Sequence, residues 1–316
     1  MVLSFYVQSW LLLVPLIPSI LISIFILYHL LKNPLLRNTL NNHVIIWLLL
    51  FGLISELTDL TFHVQFYRTG IVPIQTRSFC IFWVTISSSV LVAIYWLMAW
   101  ASIERHIFIF HRHWFGTRRR RLLFHYLPLS LCVIGPTIFY LFAFLVVPCE
   151  VPFRYNLEFC LRYFCIINVS WLALLDGIVN NIIPAYVIII FSVALLIRVL
   201  YRRYLTRQRI DWRNYKKLAS QLLPISFLYL FLQLPPLTLY IAYSAGLSRS
   251  VATDYYLDSL FFANGIILFT PFASIHSLPN LRMKFKNAIF FWRKRSIVAP
   301  QLMKMNRMQT NQTATR

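Results

Sequence analysis

Seven apolar stretches, each long enough to cross a bilayer, constrain this 316-residue chain more than any other feature. They lie near Trp10–Leu31, Val44–Phe66, Phe79–Ile103, Leu122–Val147, Trp171–Leu200, Leu218–Ser244 and Tyr255–Leu278. A hydrocarbon core about 30 Å thick needs roughly 20 apolar residues in helical form, and a helix satisfies its own backbone there. Only 12% of the residues are charged and 59% are apolar, whereas a soluble domain is about a quarter charged. The expected fold is therefore an all-α membrane protein, a seven-transmembrane helix bundle. The first stretch exceeds the usual h-region of a signal peptide and has no basic run before it, so it is read as a retained helix. With 7 Gly, 15 Pro and 5 Cys, disordered, collagen-like and disulfide-scaffold classes are excluded.

The net charge of +21 would suit a nucleic-acid partner on a soluble surface. Its distribution argues otherwise. Lys and Arg fall in alternate connectors: Lys32 and Arg37; Arg105, Arg112 and Arg118–Arg121; the run from Arg198 to Lys217; and the tail from Arg282 onward. Of the 30 basic residues, 25 lie on that side and 5 on the other. By the positive-inside rule the amino terminus is outside and the carboxyl terminus cytoplasmic. No nucleic acid is expected as a partner; anionic inner-leaflet lipids are. The domain reading is a short extracellular segment 1–9, the bundle 10–278, an amphipathic interfacial helix 279–292 and a disordered cytoplasmic tail 293–316. In LRMKFKNAIFFW, Leu281, Phe285, Ile289 and Trp292 alternate with Arg282, Lys284 and Lys286, a pattern suited to lying in the interface.

One spacing carries more information than the rest. Cys80 opens the third stretch and Glu104-Arg105-His106 closes it, with Arg105 25 residues after Cys80. At 1.5 Å per residue that is about 37 Å, one membrane crossing. In this the chain resembles the rhodopsin-like (class A) G-protein-coupled receptors, whose third helix starts with a disulfide Cys and ends in an acidic-Arg-aromatic triplet. It is similar to a divergent, lineage-expanded invertebrate type (rotifer-like). The resemblance implies that Glu104 holds the Arg105 guanidinium until activation, and that Arg105 then meets a heterotrimeric G protein. An acid beside a fork of donors suits such a pair. His106 replaces the commoner Tyr. The resemblance also implies a bridge from Cys80 to the loop after the fourth helix. Four outer Cys allow three pairings. Cys160 is the expected partner, leaving Cys149 and Cys165 for a second bridge, and Cys132 a free thiol.

Helices six and seven match the family more loosely. In FLYLFLQLPP, Tyr229 takes the place of the family's Phe, Gln233 that of its Trp toggle, and Pro235 the kink. In TPFAS only Pro271 is kept from Asn-Pro-x-x-Tyr. The family's buried Asp on helix two falls at Gly52, so its sodium site is expected to be missing.

Seven of the nine acids are on the outer side. Ionisable residues at membrane depth are costly and mark function. Glu56, Asp59, Asp176 and Asp258, with Ser87, Gln233 and Asn264, form the candidate ligand set, and an acidic vestibule for a basic peptide, such as a neuropeptide, is the expectation. An amine receptor would carry Asp where Ser87 stands, and an opsin Lys where Asn264 stands. No metal or cofactor site is expected: His111 and His113 flank Arg112 with no acid beside them. The chain is not expected to be an enzyme. The alternative to a plasma-membrane receptor is a seven-helix transporter or channel with a coincidental triplet.

Overall fold

The computed structural model describes residues 3–110, 115–205, 212–244, 246–248 and 250–277, with Met283 and Phe285. Apart from those last two, the expected amphipathic helix and the tail lie outside the described residues, as do His111, Arg112 and His113. The bundle belongs to the first of two units, Met1–Ser277; the second is Leu278–Arg316. Among the described residues there is no strand, and seven helices are long and apolar enough to cross a membrane. They are α1 Phe5–Lys32, α2 Asn42–Thr69, α3 Arg77–Phe108, α4 Arg118–Val146, α5 Ser170–Leu195, α6 Pro224–Tyr243 and α7 Thr253–Ile275. The chain is a multi-pass membrane protein. Several boundaries differ from expectation by a few residues, and two of them are informative. Helix α1 begins at Phe5 instead of Trp10, because Phe5 packs its ring on Phe66 and Tyr67. The helix containing α6 begins at Trp212, six residues before Leu218, in a polar stretch that hydropathy alone does not mark.

Helix α3 is the axis. It packs against α2, α4 and α5, while α1 packs on α2 and α7, and α6 on α5 and α7. Of the most apolar windows, those of α3 and α7 are 61% buried, against 28–33% for α4, α5 and α6. Rows of exposed apolar residues, such as Leu11, Val14, Ile17 and Leu21 on α1, suit a surface bathed in hydrocarbon.

Helix α3 is regular α-helix from Arg77 to Phe110. Three neighbours are not. Widened π turns occupy Glu56–Leu60 in α2, Leu122–Tyr126 in α4 and Asp176–Ile182 in α5. In α4 and α5 each turn is followed two residues later by a proline, Pro128 and Pro184. Proline lacks a donor and crowds the carbonyl four residues before it, so the ladder widens there. In α2 no proline follows. Instead Thr61 Oγ1 donates to Glu56 O at 2.8 Å, and Thr58 Oγ1 to Ile54 O at 2.7 Å. The Asn181 side chain does the same for Asp176 O at 3.0 Å.

One end of the bundle is stapled by two disulfides, Cys80–Cys160 and Cys149–Cys165, and Cys132 is a buried free thiol. The segment around Cys160 runs through three consecutive left-handed residues, Phe159, Cys160 and Leu161, at φ of 50°, 52° and 66°. None is glycine, and such residues cost about 1–3 kcal/mol each. The turn drives the Phe159 ring between α2 and α3, 4.9 Å from Trp83 and 5.2 Å from His63. In the same loop the Arg162 guanidinium lies 4.5 Å over Phe153, and burial together with Arg77 lowers its pKa from the usual value.

The two bridges close sequence separations of 80 and 16 residues. Loop-closure entropy gives about 4.7 kcal/mol near 100 residues and about 3 near 15. Thermal unfolding in lipid nanodiscs should therefore show a larger loss for Cys160→Ser than for Cys149→Ser, and the Phe159 wedge should loosen only in the first.

Candidate functional site

The triplet sits at the end of the bundle opposite the disulfides, near the carboxyl-terminal end of α3. Glu104 and Arg105 are both buried. The Glu104 carboxylate is bonded by His125 Nδ1 from the π turn of α4, whose ring is fully enclosed. His125 Nε2 meets His43 Nδ1 of α2 at 2.8 Å, and His43 Nε2 meets the Arg37 carbonyl at 2.8 Å. A polar chain thus runs from α3 through α4 and α2 to the first connector. His106 accepts from Arg198 of the helix Ile183–Leu205 at 2.8 Å.

Midway along α3, Tyr95 donates to Gln233 Oε1 at 3.0 Å, and its ring stands edge-on to Tyr229 at 5.2 Å. Both Tyr95 and Tyr229 are buried, and the Tyr229 hydroxyl has no hydrogen-bond partner among the described residues. The expected switch residues Tyr229 and Gln233 therefore meet α3 at one level. Pro235 follows on α6, and Pro271 is buried in α7.

The four acids among the expected ligand residues each bond a different set of partners. Glu56 is enclosed, bonded by Ser19, whose hydroxyl also lies 2.8 Å from Leu268 O, so α1, α2 and α7 meet there. Asp59 accepts from Trp83 Nε1 at 2.9 Å and lies 3.2 Å from His63 Nδ1. The other His63 nitrogen lies 3.7 Å from Glu158, which Tyr67 also bonds. Asp176 accepts from Tyr140, Tyr163 and Asn180, joining α4, the loop between α4 and α5, and α5 itself. Burial and that carboxylate push the Tyr163 phenol well above its usual pKa. Asp258 accepts from the Leu3 amide at 3.1 Å. Ser87 is buried on α3, and Asn264 is half-buried where α7 breaks before Gly265.

Glu56, Asp59 and Asp176, expected in an acidic vestibule, are internal in this structure. All three are at most 5% exposed and are paired inside the bundle, because a carboxylate at this depth is stable only against donors. A cavity of about 500 Å³ lies between α3, α4 and α5. Trp96, Trp100, Cys132, Gly135, Phe139 and Val179 are among its lining residues.

Sequence reasoning missed the donors: Ser19, His43, His63, Trp83, His125, Tyr140 and Tyr163. His63 and His125 were visible as ionisable residues inside apolar stretches, the same signal that marks the acids. The tyrosines and the serine carry no such mark.

No family model matches the chain, and no curated protein does.

If the acids are internal cross-links, Asp176→Ala strands two buried tyrosine hydroxyls, at about 1–3 kcal/mol each. Asp258→Ala releases one half-buried amide and should cost less than about 1.5 kcal/mol. Thermal unfolding of the two variants in nanodiscs should rank them in that order; equal stabilities would return Asp176 to the candidate ligand residues.

Proposed function

We propose that the chain is a class A-like G-protein-coupled receptor of the plasma membrane, with its amino terminus outside. It would convert binding of an extracellular ligand, a peptide in the first instance, into activation of a heterotrimeric G protein. The observation that carries this reading is α3 itself: an unbroken helix with a disulfide to the following outer loop at one end and a buried Glu104-Arg105 at the other. The basic asymmetry of the connectors supports the orientation, placing the triplet beside the connectors richest in Lys and Arg.

In this reading the ligand acts at the disulfide end, where the Phe159 wedge touches α2 and α3. Its leverage equals its differential affinity for two arrangements of the bundle. The pair Tyr95–Gln233 links the axis to α6 midway, and Pro235 sits half a turn beyond it. Displacement of α6 about that proline would open a cleft at the Arg105 end, where anionic lipid and the basic segments hold the G protein close. The segment 279–292 would lie in the interface as an eighth helix.

The test is nucleotide exchange on a panel of heterotrimeric G proteins by the full-length protein in nanodiscs. Wild-type protein should accelerate exchange. Arg105→Ala, which removes charge-assisted bonds of about 1.5–3 kcal/mol, should reduce it at least about tenfold. An ionic current or solute flux through reconstituted protein, with no exchange on any G protein, would instead establish the transporter or channel reading.

A further inference from the structure

At the disulfide end most acids already have partners. Asp59 and Asp176 are paired inside the bundle, Glu158 is bonded by Tyr67 beside His63, and Asp258 accepts from the Leu3 amide. In the loop between α4 and α5 a cation is left without such a match. Arg162 is only 5% exposed, yet its hydrogen bond among the described residues runs from Nη1 to the Val151 carbonyl at 3.1 Å. Its Nε is enclosed and has no partner among the described residues. A guanidinium presents five donors in a fixed fork, and a buried charge is stable only when it is compensated. Here one carbonyl and the face of Phe153, 4.5 Å away, stand in for a carboxylate.

A second guanidinium widens the imbalance. Arg77, exposed on the first turn of α3, lies 5.6 Å from the centre of the same ring, so the two cations stand within about 10 Å of each other. Among the described residues no ion pair joins either of them to an acid. After burial, it is the charge of Arg77 that draws the pKa of Arg162 down. Glu150, the other acid of the loop, is exposed. The loop itself is held fast. Both disulfides close on it, Arg162 N donates to Phe159 O at 2.9 Å, and Cys165 N to Arg162 O at 3.0 Å. Guanidinium forks beside the positive rim of an aromatic ring match an oxyanion, and a site ordered beforehand loses little freedom on binding one.

Building on the receptor reading above, we propose that Arg162 and Arg77, ranged on Phe153, form an oxyanion site that anchors the extracellular ligand by a carboxylate or phosphate group. On a peptide that group is the carboxyl terminus or an acidic side chain, so the ligand is opposite in charge to the basic peptide expected from the sequence. Arg162 supplies the fixed fork and Arg77 an exposed second one. Glu150, one residue from the carbonyl that Arg162 grips, opposes the anion by its like charge.

The experiment uses full-length protein in nanodiscs of neutral lipid, labelled with ¹⁵N-arginine and titrated with sodium acetate or sodium phosphate at constant ionic strength. The Nε resonance of Arg162 should move to saturation, and the probe with the lower midpoint identifies the group the site prefers. Followed at Arg77, Arg162→Gln should weaken binding at least about tenfold, the size of a lost charge-assisted hydrogen bond. Arg162→Lys, which keeps the charge without the fork, should recover only part of it. Arg77→Gln changes an exposed side chain that leaves the loop intact, and should weaken binding about threefold. Glu150→Gln should tighten it. Nucleotide exchange on G proteins is then measured with two peptide pools, one acidic with free carboxyl termini and one basic with amidated ends. Agonists should come from the acidic pool and lose potency in both arginine variants.

An Arg162 resonance that neither probe moves overturns the site, as does unchanged binding in folded Arg162→Gln and Arg77→Gln proteins. Activation by the basic pool alone, at a potency that neither variant alters, overturns its role in holding the ligand. Saturable oxyanion binding by a protein that drives no exchange on any G protein, with or without either pool, overturns the receptor reading and leaves the anion site standing.

Discussion

A carboxylate placed among apolar helices must find donors, and in this bundle it finds them on a different helix each time. Glu56 reaches Ser19 on α1, Asp59 the Trp83 indole on α3, Glu104 the His125 ring on α4, and Asp176 the Tyr140 hydroxyl on α4. Hydrophobic attraction between helices is weak in lipid, because the surrounding tails are as apolar as the side chains. The few acids therefore take on a task that an aqueous core leaves to leucine. They fix which helices are neighbours and at what height, and in consequence all four carboxylates are buried.

How much of this was legible depends on whether a helix is regular. The apolar stretches marked seven spans because hydrocarbon thickness fixes their length. The Cys80–Arg105 spacing survived because α3 has no interruption between Arg77 and Phe110, so 25 residues really do span the bundle. In α2 and α5 the π turns insert extra residues. Each extra residue rotates the rest of its helix by about 100° and moves it along the axis by about 1.5 Å. Glu56, Asp59 and Asp176 lie inside those turns, so counting from a motif placed them at a height but not on a face. Their burial was hidden for that reason. Pro128 and Pro184 were readable as perturbations, but the π turn in α2 rests on hydroxyls that sequence does not flag.

The expected bridges Cys80–Cys160 and Cys149–Cys165 are the ones found, though the resemblance and not any local pattern pointed to them, whereas the polar partners were not legible. Which of Cys149, Cys160 and Cys165 meets Cys80 depends on the left-handed turn at Phe159–Leu161, made by three residues that ordinarily avoid that region. No propensity argument predicts it, because the bridge and the fit of Phe159 against Trp83 and His63 must hold it there. The histidines escaped for another reason: His43 and His125 are 82 residues apart in sequence, and only the packing of α2 against α3 and α4 brings them to one carboxylate.

These connections also bear on which helix is able to move. Polar bonds join α1, α2 and α7 at Ser19, α2 and α3 at Asp59, α3 and α4 at Glu104, and α4 and α5 at Asp176. Shifting any of those pairs would strand a carboxylate and a donor together in a medium that supplies no replacement. Between α3 and α6 the described polar bond is Tyr95–Gln233, between two neutral groups, and such a bond is worth only about 0.5–1.5 kcal/mol net. Midway along α6 stand two consecutive prolines, Pro235 and Pro236, so the carbonyl ladder there is already incomplete. A two-state rearrangement needs an element whose alternative position is nearly as stable as the first. By this comparison of neutral with charged links among the described residues, α6 has a weaker polar tie to α3 than α2 and α4 have.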